Sequence, residues 1–79
     1  MVALNRAVAL AMAEGADTGL AAIAEIEGLD GYLHYHSARG GLLRRAGRDE
    51  EAREAYRRAL DLEPGEAERR FLERQLSPE

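Results

Sequence analysis

The chain has 79 residues and a formal net charge of −4, with 46% hydrophobic residues, one Phe, no Trp and no Cys. This length allows one domain, and the missing cysteines exclude disulfide bonds, thiolate catalysis and zinc-finger sites. The acidic balance argues against autonomous binding to nucleic acid. Many small apolar residues and few aromatic ones indicate an all-α fold.

Two helices are predicted before residue 28. The first runs from Val2 to Glu14 and ends at Gly15, and the second begins at a cap, Asp17 or Thr18, and continues to Glu27. The expected apolar faces are Leu4, Ala7, Val8, Ala11 and Met12 in the first helix and Leu20, Ile23, Ala24 and Ile26 in the second. Together these helices form a degenerate first hairpin over residues 1–28.

A second hairpin is predicted over residues 30–64. Asp30 is expected to cap a helix from Tyr32 to Ala46, Gly47 opens a turn, and Asp49 is expected to cap a helix from Glu50 to Leu62. The adjacent Gly40 and Gly41 each cost about 1 kcal/mol relative to Ala inside a helix. They therefore indicate either the close approach of another helix or a kink.

Pro64 and Gly65 prevent the fourth helix from continuing, and a fifth helix is predicted from Glu66 to Leu76. Its inward face is expected to consist of Ala67, Phe71, Leu72 and Leu76. Charged residues occupy the other face, which is typical of a helix that caps an array. No stretch of 18 apolar residues is present, so the sequence predicts no membrane span. The missing cysteines fit a reducing compartment, and the expected location is cytoplasmic.

Small residues in the second hairpin suggest tight helix packing. Ala52 and Ala59 lie seven residues apart on one helical face, with Tyr56 between them. In order, Gly40, Gly47, Ala52, Tyr56, Ala59 and Pro64 resemble the signature of a tetratricopeptide repeat. The first helix of this repeat departs from the pattern, since His36 and Arg39 stand where a large aromatic residue and a leucine are usual.

A second resemblance covers nearly the whole chain. Residues 3–8 (ALNRAV), 42–45 (LLRR) and 68–72 (ERRFL) are similar to the tetratricopeptide-like C-terminal extension of actinobacterial extracytoplasmic-function-type RNA polymerase sigma factors. Gly40, Gly41 and Gly65 depart from that family. The resemblance implies that this chain is a domain excised from a longer protein. The domain would then hold the sigma factor in an active or inactive arrangement, or receive a protein partner.

The sequence offers no convincing metal or catalytic site. His34 and His36 are two residues apart, so on a helix their side chains point about 200° away from each other and cannot share one ion. The hydroxyl residues show no arrangement with a histidine and an acid that would support nucleophilic catalysis. The chain is therefore expected to need no cofactor and not to be an enzyme.

A partner-binding groove is expected between the first and third helices. The repeat pattern assigns Asn5, Met12, His34, Ser37, Arg44 and Arg45 to this groove. Arg44, Arg45 and Arg48 could clamp a carboxylate or phosphate, or could instead stabilise the C-terminal end of the third helix. The groove could bind the upstream sigma-factor domains, RNA polymerase or a regulator. Alternatively, the chain is a free-standing adaptor for an acidic peptide, and as a fragment it could form a homodimer.

Overall fold

The computed structural model describes residues 2–26, 28 and 30–77, and within them the chain forms five helices and no strand. The predicted all-α architecture of helical hairpins is confirmed. In the described part of the chain, no helix is both long and apolar enough to cross a bilayer. The helices are α1 (Val2–Glu14), α2 (Ala16–Ala24), α3 (Leu33–Arg45), α4 (Asp49–Asp61) and α5 (Glu66–Leu76).

Each helix packs against its neighbour in the chain, and α1 also contacts α3. Two apolar clusters form the core. The first joins α1, α2 and α3 through buried Leu4, Ala7, Ala11, Ile23 and Leu42, and the second joins α3, α4 and α5 through buried Leu43, Ala52, Ala55, Tyr56, Ala59 and Leu72. Leu20 packs against both clusters. The two hairpins therefore share one continuous core.

In the first hairpin, a glycine allows α1 and α2 to pack closely. A Cβ atom on Gly19 would lie 3.0 Å from the Cα of Ala11 and 3.1 Å from the carbonyl oxygen of Ala7. Real Cβ atoms rarely approach backbone atoms this closely, so any side chain at this position would push the helices apart. Gly15 makes the turn before α2 with a φ of 110°, which favours glycine.

The two adjacent glycines of the second hairpin differ in how closely Tyr56 approaches them. A Cβ on Gly40 would lie 2.7 Å from the ring of Tyr56, whereas a Cβ on Gly41 would lie 3.8 Å from the Tyr56 hydroxyl, at ordinary contact distance. α3 continues through both positions as a single helix. Gly40 thus accounts for the close approach of α4, and this packing does not require a glycine at Gly41.

The predicted N-caps were wrong. The residues at the N-cap positions of α2, α3 and α4 are Gly15, Tyr32 and Arg48, and none of them forms a side-chain capping hydrogen bond. Asp49 is instead the first residue of α4, where its carboxylate interacts favourably with the N-terminal end of the helix dipole. α2 ends at Ala24, three residues before the predicted Glu27, which lies outside the described residues.

Some residues expected on apolar faces point to solvent. Met12 is 61% exposed, and Ala24 and Ala67 are also exposed, because the buried faces of α1, α2 and α5 are narrower than predicted. Phe71 is 38% exposed but places its ring edge-on to Tyr56, with the ring centroids 6.2 Å apart. Leu72 is fully buried and attaches α5 to the core.

Candidate functional site

A cavity of about 410 Å³ opens between α1 and α3, the first helices of the two hairpins. Helices in these two positions line the concave surface of a helical repeat array, which is where such arrays bind their partners. The lining residues define the α1/α3 groove and are Leu4, Asn5, Val8, Tyr32, His34, Ser37 and Ala38. Three of the six predicted groove residues, Asn5, His34 and Ser37, therefore lie together.

The α1/α3 groove presents three polar side chains, those of Asn5, His34 and Ser37. Asn5 and His34 are exposed and Ser37 is half-buried, and none of them takes part in the side-chain hydrogen bonds found among the described residues. The Tyr32 ring lies edge-on to His34, with 5.6 Å between ring centroids. The groove thus combines an amide, a hydroxyl and an imidazole with an apolar wall.

The other three predicted groove residues, Met12, Arg44 and Arg45, do not line this cavity. Met12 and Arg45 are exposed elsewhere on α1 and α3. The residues that line the groove include no arginine and no carboxylate. The α1/α3 groove is consequently close to neutral, because the two arginines that the sequence assigned to it lie elsewhere.

Arg44 connects α3 to the end of α5. Its Nη1 donates a hydrogen bond to Oε1 of Gln75 at 2.7 Å, and its Nη2 donates to the backbone oxygen of Gln75 at 2.9 Å. That carbonyl belongs to the last turn of α5, where backbone oxygens lack helical partners and attract cations. The Arg44 guanidinium also lies 5.5 Å from the centroid of the Tyr56 ring. Arg44 therefore stabilises the C-terminal end of α5, a role that neither sequence alternative included.

Replacing Arg44 with alanine is expected to lower the free energy of unfolding by about 1 kcal/mol, because two charge-assisted but partly exposed hydrogen bonds are lost. Urea denaturation of Arg44→Ala, Gln75→Ala and the double variant forms a double-mutant cycle that isolates the hydrogen bond between the two side chains, because the backbone oxygen of residue 75 is kept in Gln75→Ala. We expect the double variant to lose less unfolding free energy than the two single variants lose together. Strict additivity would contradict the assigned contact.

Arg48 is paired with a neighbour on the surface. Its Nε and Nη2 donate to the two carboxylate oxygens of Glu51 at 2.8 and 3.0 Å. The hydrogen bond from Arg48 lowers the pKa of Glu51, and the same bond raises the pKa of Arg48. Both side chains are about half exposed, so solvent screens the pair and it contributes little to stability.

His36 has a structural role. It is only 4% exposed, and its Nε2 lies 2.6 Å from the backbone oxygen of Asp30, to which it donates a hydrogen bond. The imidazole therefore replaces the large aromatic residue that is usual here and fastens the segment before α3. Its neighbour His34 is exposed. Among the described residues, no group of three or more His, Cys, Asp or Glu side chains could hold a metal ion.

A second cavity, of about 460 Å³, lies on the side of α3 that faces α4. Its lining is mostly charged and consists of Asp30, Tyr35, His36, Arg39, Glu51, Glu54 and Arg58. Glu51 already pairs with Arg48, and His36 already binds the Asp30 carbonyl. With charges of both signs and two groups engaged internally, this cavity is a weaker candidate for binding than the α1/α3 groove.

Comparison with known proteins identifies the repeat. Residues 34–66, which cover α3, α4 and the Pro64–Gly65 stop, match the model of the tetratricopeptide repeat. Uncharacterized protein R00370 of Rhizobium meliloti (strain 1021) is 44% identical over 77 residues, which is 96% of this chain but 18% of the relative's length. No solved structure gives a significant match. Residues 34–66 are therefore a tetratricopeptide repeat, built from α3, the turn at Gly47 and α4.

Proposed function

We propose that this chain is a non-catalytic regulatory domain of an RNA polymerase sigma factor, and that it binds protein through the α1/α3 groove. In this role it acts in the cytoplasm, modulates transcription initiation and makes no contact with DNA itself. The observation that carries the proposal is the set of polar side chains in the groove, Asn5, His34 and Ser37, which take no part in the side-chain hydrogen bonds found among the described residues.

The groove chemistry suits an extended, uncharged protein segment. The Asn5 amide can donate and accept at once, and so can the Ser37 hydroxyl, which matches the alternating N–H and C=O groups of a peptide backbone. Val8 and Ala38 provide apolar contacts beside them. We propose that the occupant is a segment of the sigma factor's own upstream domains, with RNA polymerase or a regulator as the next candidates.

The sigma-factor assignment rests on the sequence resemblance, and two observations are compatible with it. The segments that resemble the sigma-factor extension, residues 3–8, 42–45 and 68–72, lie in α1, α3 and α5 and so extend beyond the repeat match at 34–66. In addition, the chain spans only 18% of the length of its relative from Rhizobium meliloti. A protein of that size has room for separate DNA-reading and polymerase-binding domains.

The alternative, a free-standing adaptor for an acidic peptide, receives less support from the geometry. It needs arginines turned toward a bound carboxylate, but Arg44 donates to Gln75 and Arg48 donates to Glu51. Arg45 is exposed but does not line the groove. A helix-turn-helix segment and a polymerase-binding segment in the same gene would favour the sigma-factor proposal, and a gene without them would favour the adaptor.

The proposal is tested by blocking the groove in the full-length protein. Ser37→Arg places a long cation in the α1/α3 groove, whereas Ser77→Arg places the same side chain at an exposed position after α5. We expect Ser37→Arg to change promoter-dependent transcription by purified RNA polymerase about tenfold, which corresponds to about 1.4 kcal/mol of lost binding. We expect Ser77→Arg to behave like the parent protein.

Circular dichroism melting of both variants checks that each retains its fold. Equal transcription by the parent and a folded Ser37→Arg variant would contradict the groove assignment. Failure of the full-length protein to support polymerase at any promoter, together with binding of an acidic peptide that Arg45→Glu abolishes, would instead favour the adaptor. The two readouts therefore separate the proposed function from its alternative.

A further inference from the structure

Gly41 lies inside α3, where a glycine lowers the stability of the helix relative to alanine. The packing of the described helices does not require this glycine. α3 continues through it as a single helix, and the close approach of α4 depends on Gly40 instead. A residue that departs from a local preference without a structural gain is expected at a functional site.

The space above Gly41 is open. A Cβ built at this position has few neighbours beyond the adjacent residues and the backbone of α3 itself. Among the other atoms of the described residues, the only one within 4 Å is the hydroxyl oxygen of Tyr56, at 3.8 Å. Gly41 is half-buried. The missing side chain therefore leaves a depression, the Gly41 notch, with the α3 backbone as its floor and the Tyr56 hydroxyl at its side.

The Tyr56 hydroxyl can bind a ligand in the Gly41 notch. Tyr56 is 2% exposed, and its hydroxyl takes no part in the side-chain hydrogen bonds found among the described residues. No fully buried side-chain nitrogen or oxygen in that part of the chain lacks a partner, so this oxygen is where the side chain reaches solvent. Buried tyrosines usually direct the hydroxyl to a hydrogen-bond partner.

The Gly41 notch continues the α1/α3 groove along α3. Gly41 follows the groove residue Ser37 by four positions, so both lie on one face of the helix, about 6 Å apart along its axis. In an extended polypeptide, carbonyl groups that point the same way recur at every second residue, about 7 Å apart. A segment whose carbonyl meets Ser37 thus presents the next such carbonyl at Gly41.

The charge beside the Gly41 notch favours an oxygen acceptor. The guanidinium of Arg44 lies 5.5 Å from the centroid of the Tyr56 ring and is held in place by its two hydrogen bonds to Gln75. A fixed positive charge attracts the oxygen end of a carbonyl group and repels the hydrogen end of an N–H group. The Tyr56 hydroxyl is therefore expected to act as the donor.

We propose that the Gly41 notch is a subsite for the main chain of an extended polypeptide, one of whose carbonyl oxygens accepts a hydrogen bond from the Tyr56 hydroxyl. Glycine suits this role because another backbone can approach closely only where no side chain intervenes. A helical segment does not fit, since its carbonyl groups already bond within the helix. The inference rests on the proposed binding of protein in the α1/α3 groove and names the conformation of the occupant.

Two substitutions in the full-length protein test the Gly41 notch through promoter-dependent transcription by purified RNA polymerase. Gly41→Leu fills the notch, and Tyr56→Phe removes the hydroxyl but keeps the buried ring. We expect Gly41→Leu to change transcription about tenfold, and Tyr56→Phe about threefold, as for the loss of one neutral hydrogen bond. Ala67→Leu places the same leucine at an exposed position on α5 and should match the parent protein.

Circular dichroism melting separates loss of binding from loss of fold. Leucine favours a helix more than glycine does, so Gly41→Leu should melt at or above the parental temperature although transcription changes. If it melts lower, Tyr56→Phe decides, and parental transcription by that variant would overturn the Gly41 notch.

Ser37→Arg in the same assay separates this inference from the proposed function. Parental transcription by a folded Gly41→Leu variant, with Ser37→Arg still altering it, would overturn the Gly41 notch alone. No effect of Ser37→Arg, or no transcription with the parent protein, would overturn the proposed function and the subsite with it.

Discussion

Replacing Tyr56 with alanine is expected to unfold the domain. Removal of a buried aromatic side chain costs about 3–5 kcal/mol through lost transfer energy and the cavity left behind. A single core in a chain of 79 residues supplies only about 3–5 kcal/mol in total. The variant should therefore lack a cooperative thermal transition in circular dichroism at temperatures where the parent protein is folded.

The expected loss is large because Tyr56 joins three helices. Its side chain, on α4, is 2% exposed and packs on the Gly40 backbone of α3. The ring also meets Phe71 of α5 edge-on, with 6.2 Å between centroids, and lies 5.5 Å from the guanidinium of Arg44. Truncation to alanine removes all of these contacts together. A folded Tyr56→Ala variant with parental stability would contradict this account of the core.

Tyr56→Phe is the matched control, because it keeps the ring and removes only the hydroxyl. Burial raises the pKa of Tyr56 above its usual value, and the nearby Arg44 partly offsets that rise. A pKa higher in the folded state than in the unfolded state adds stability below about pH 10, and this is lost as pH rises through the folded pKa. Urea titrations at increasing pH should show that loss in the parent and a smaller one in Tyr56→Phe.

Local signals in the sequence were sufficient to predict most of the helices. The bounds of α1 and α5 agree with the prediction, and those of α3 and α4 differ by one residue at each end. Glycine at Gly15 and Gly47 and the Pro64–Gly65 pair separate the helices, and these residues act through their own backbone geometry. Such signals act locally and do not depend on the rest of the fold, so they could be recognised from the sequence alone.

Contacts that depend on the tertiary fold could not be predicted from the sequence. The partner of Arg44, Gln75, lies 31 residues further along the chain, and only the docking of α5 brings the two together. The close approach of Gly19 to Ala11 was also missed, although a glycine inside a helical pattern could have indicated it. The capping predictions also failed, because the N-cap positions of α2, α3 and α4 fall on Gly15, Tyr32 and Arg48 and none of these makes a side-chain capping hydrogen bond.

The structure brings three of the six residues assigned to the groove to one cavity. Helical periodicity places Asn5 on α1, and His34 and Ser37 on α3, and the packing of α1 against α3 then brings them to one cavity. Arg44 and Arg45 were also assigned to the groove, but the side chain of Arg44 turns toward α5 and Arg45 is exposed outside the cavity. Register can therefore place a residue on a face, but the direction of a long side chain depends on which partner it finds.

Replacing two glycines with alanine is expected to change stability in opposite directions, and the loss expected at Gly19 tests the packing of the first hairpin. Gly19→Ala should lower the free energy of unfolding by about 2 kcal/mol, because the added Cβ meets the backbone of α1 and neither helix can yield locally. Gly41→Ala should raise it by up to about 1 kcal/mol, since alanine favours the helix and its Cβ meets only the Tyr56 hydroxyl at 3.8 Å. Urea denaturation of both variants measures the difference. Stabilisation by both substitutions would show that helix propensity outweighs close packing at Gly19, and that α1 can move away from α2 at little cost.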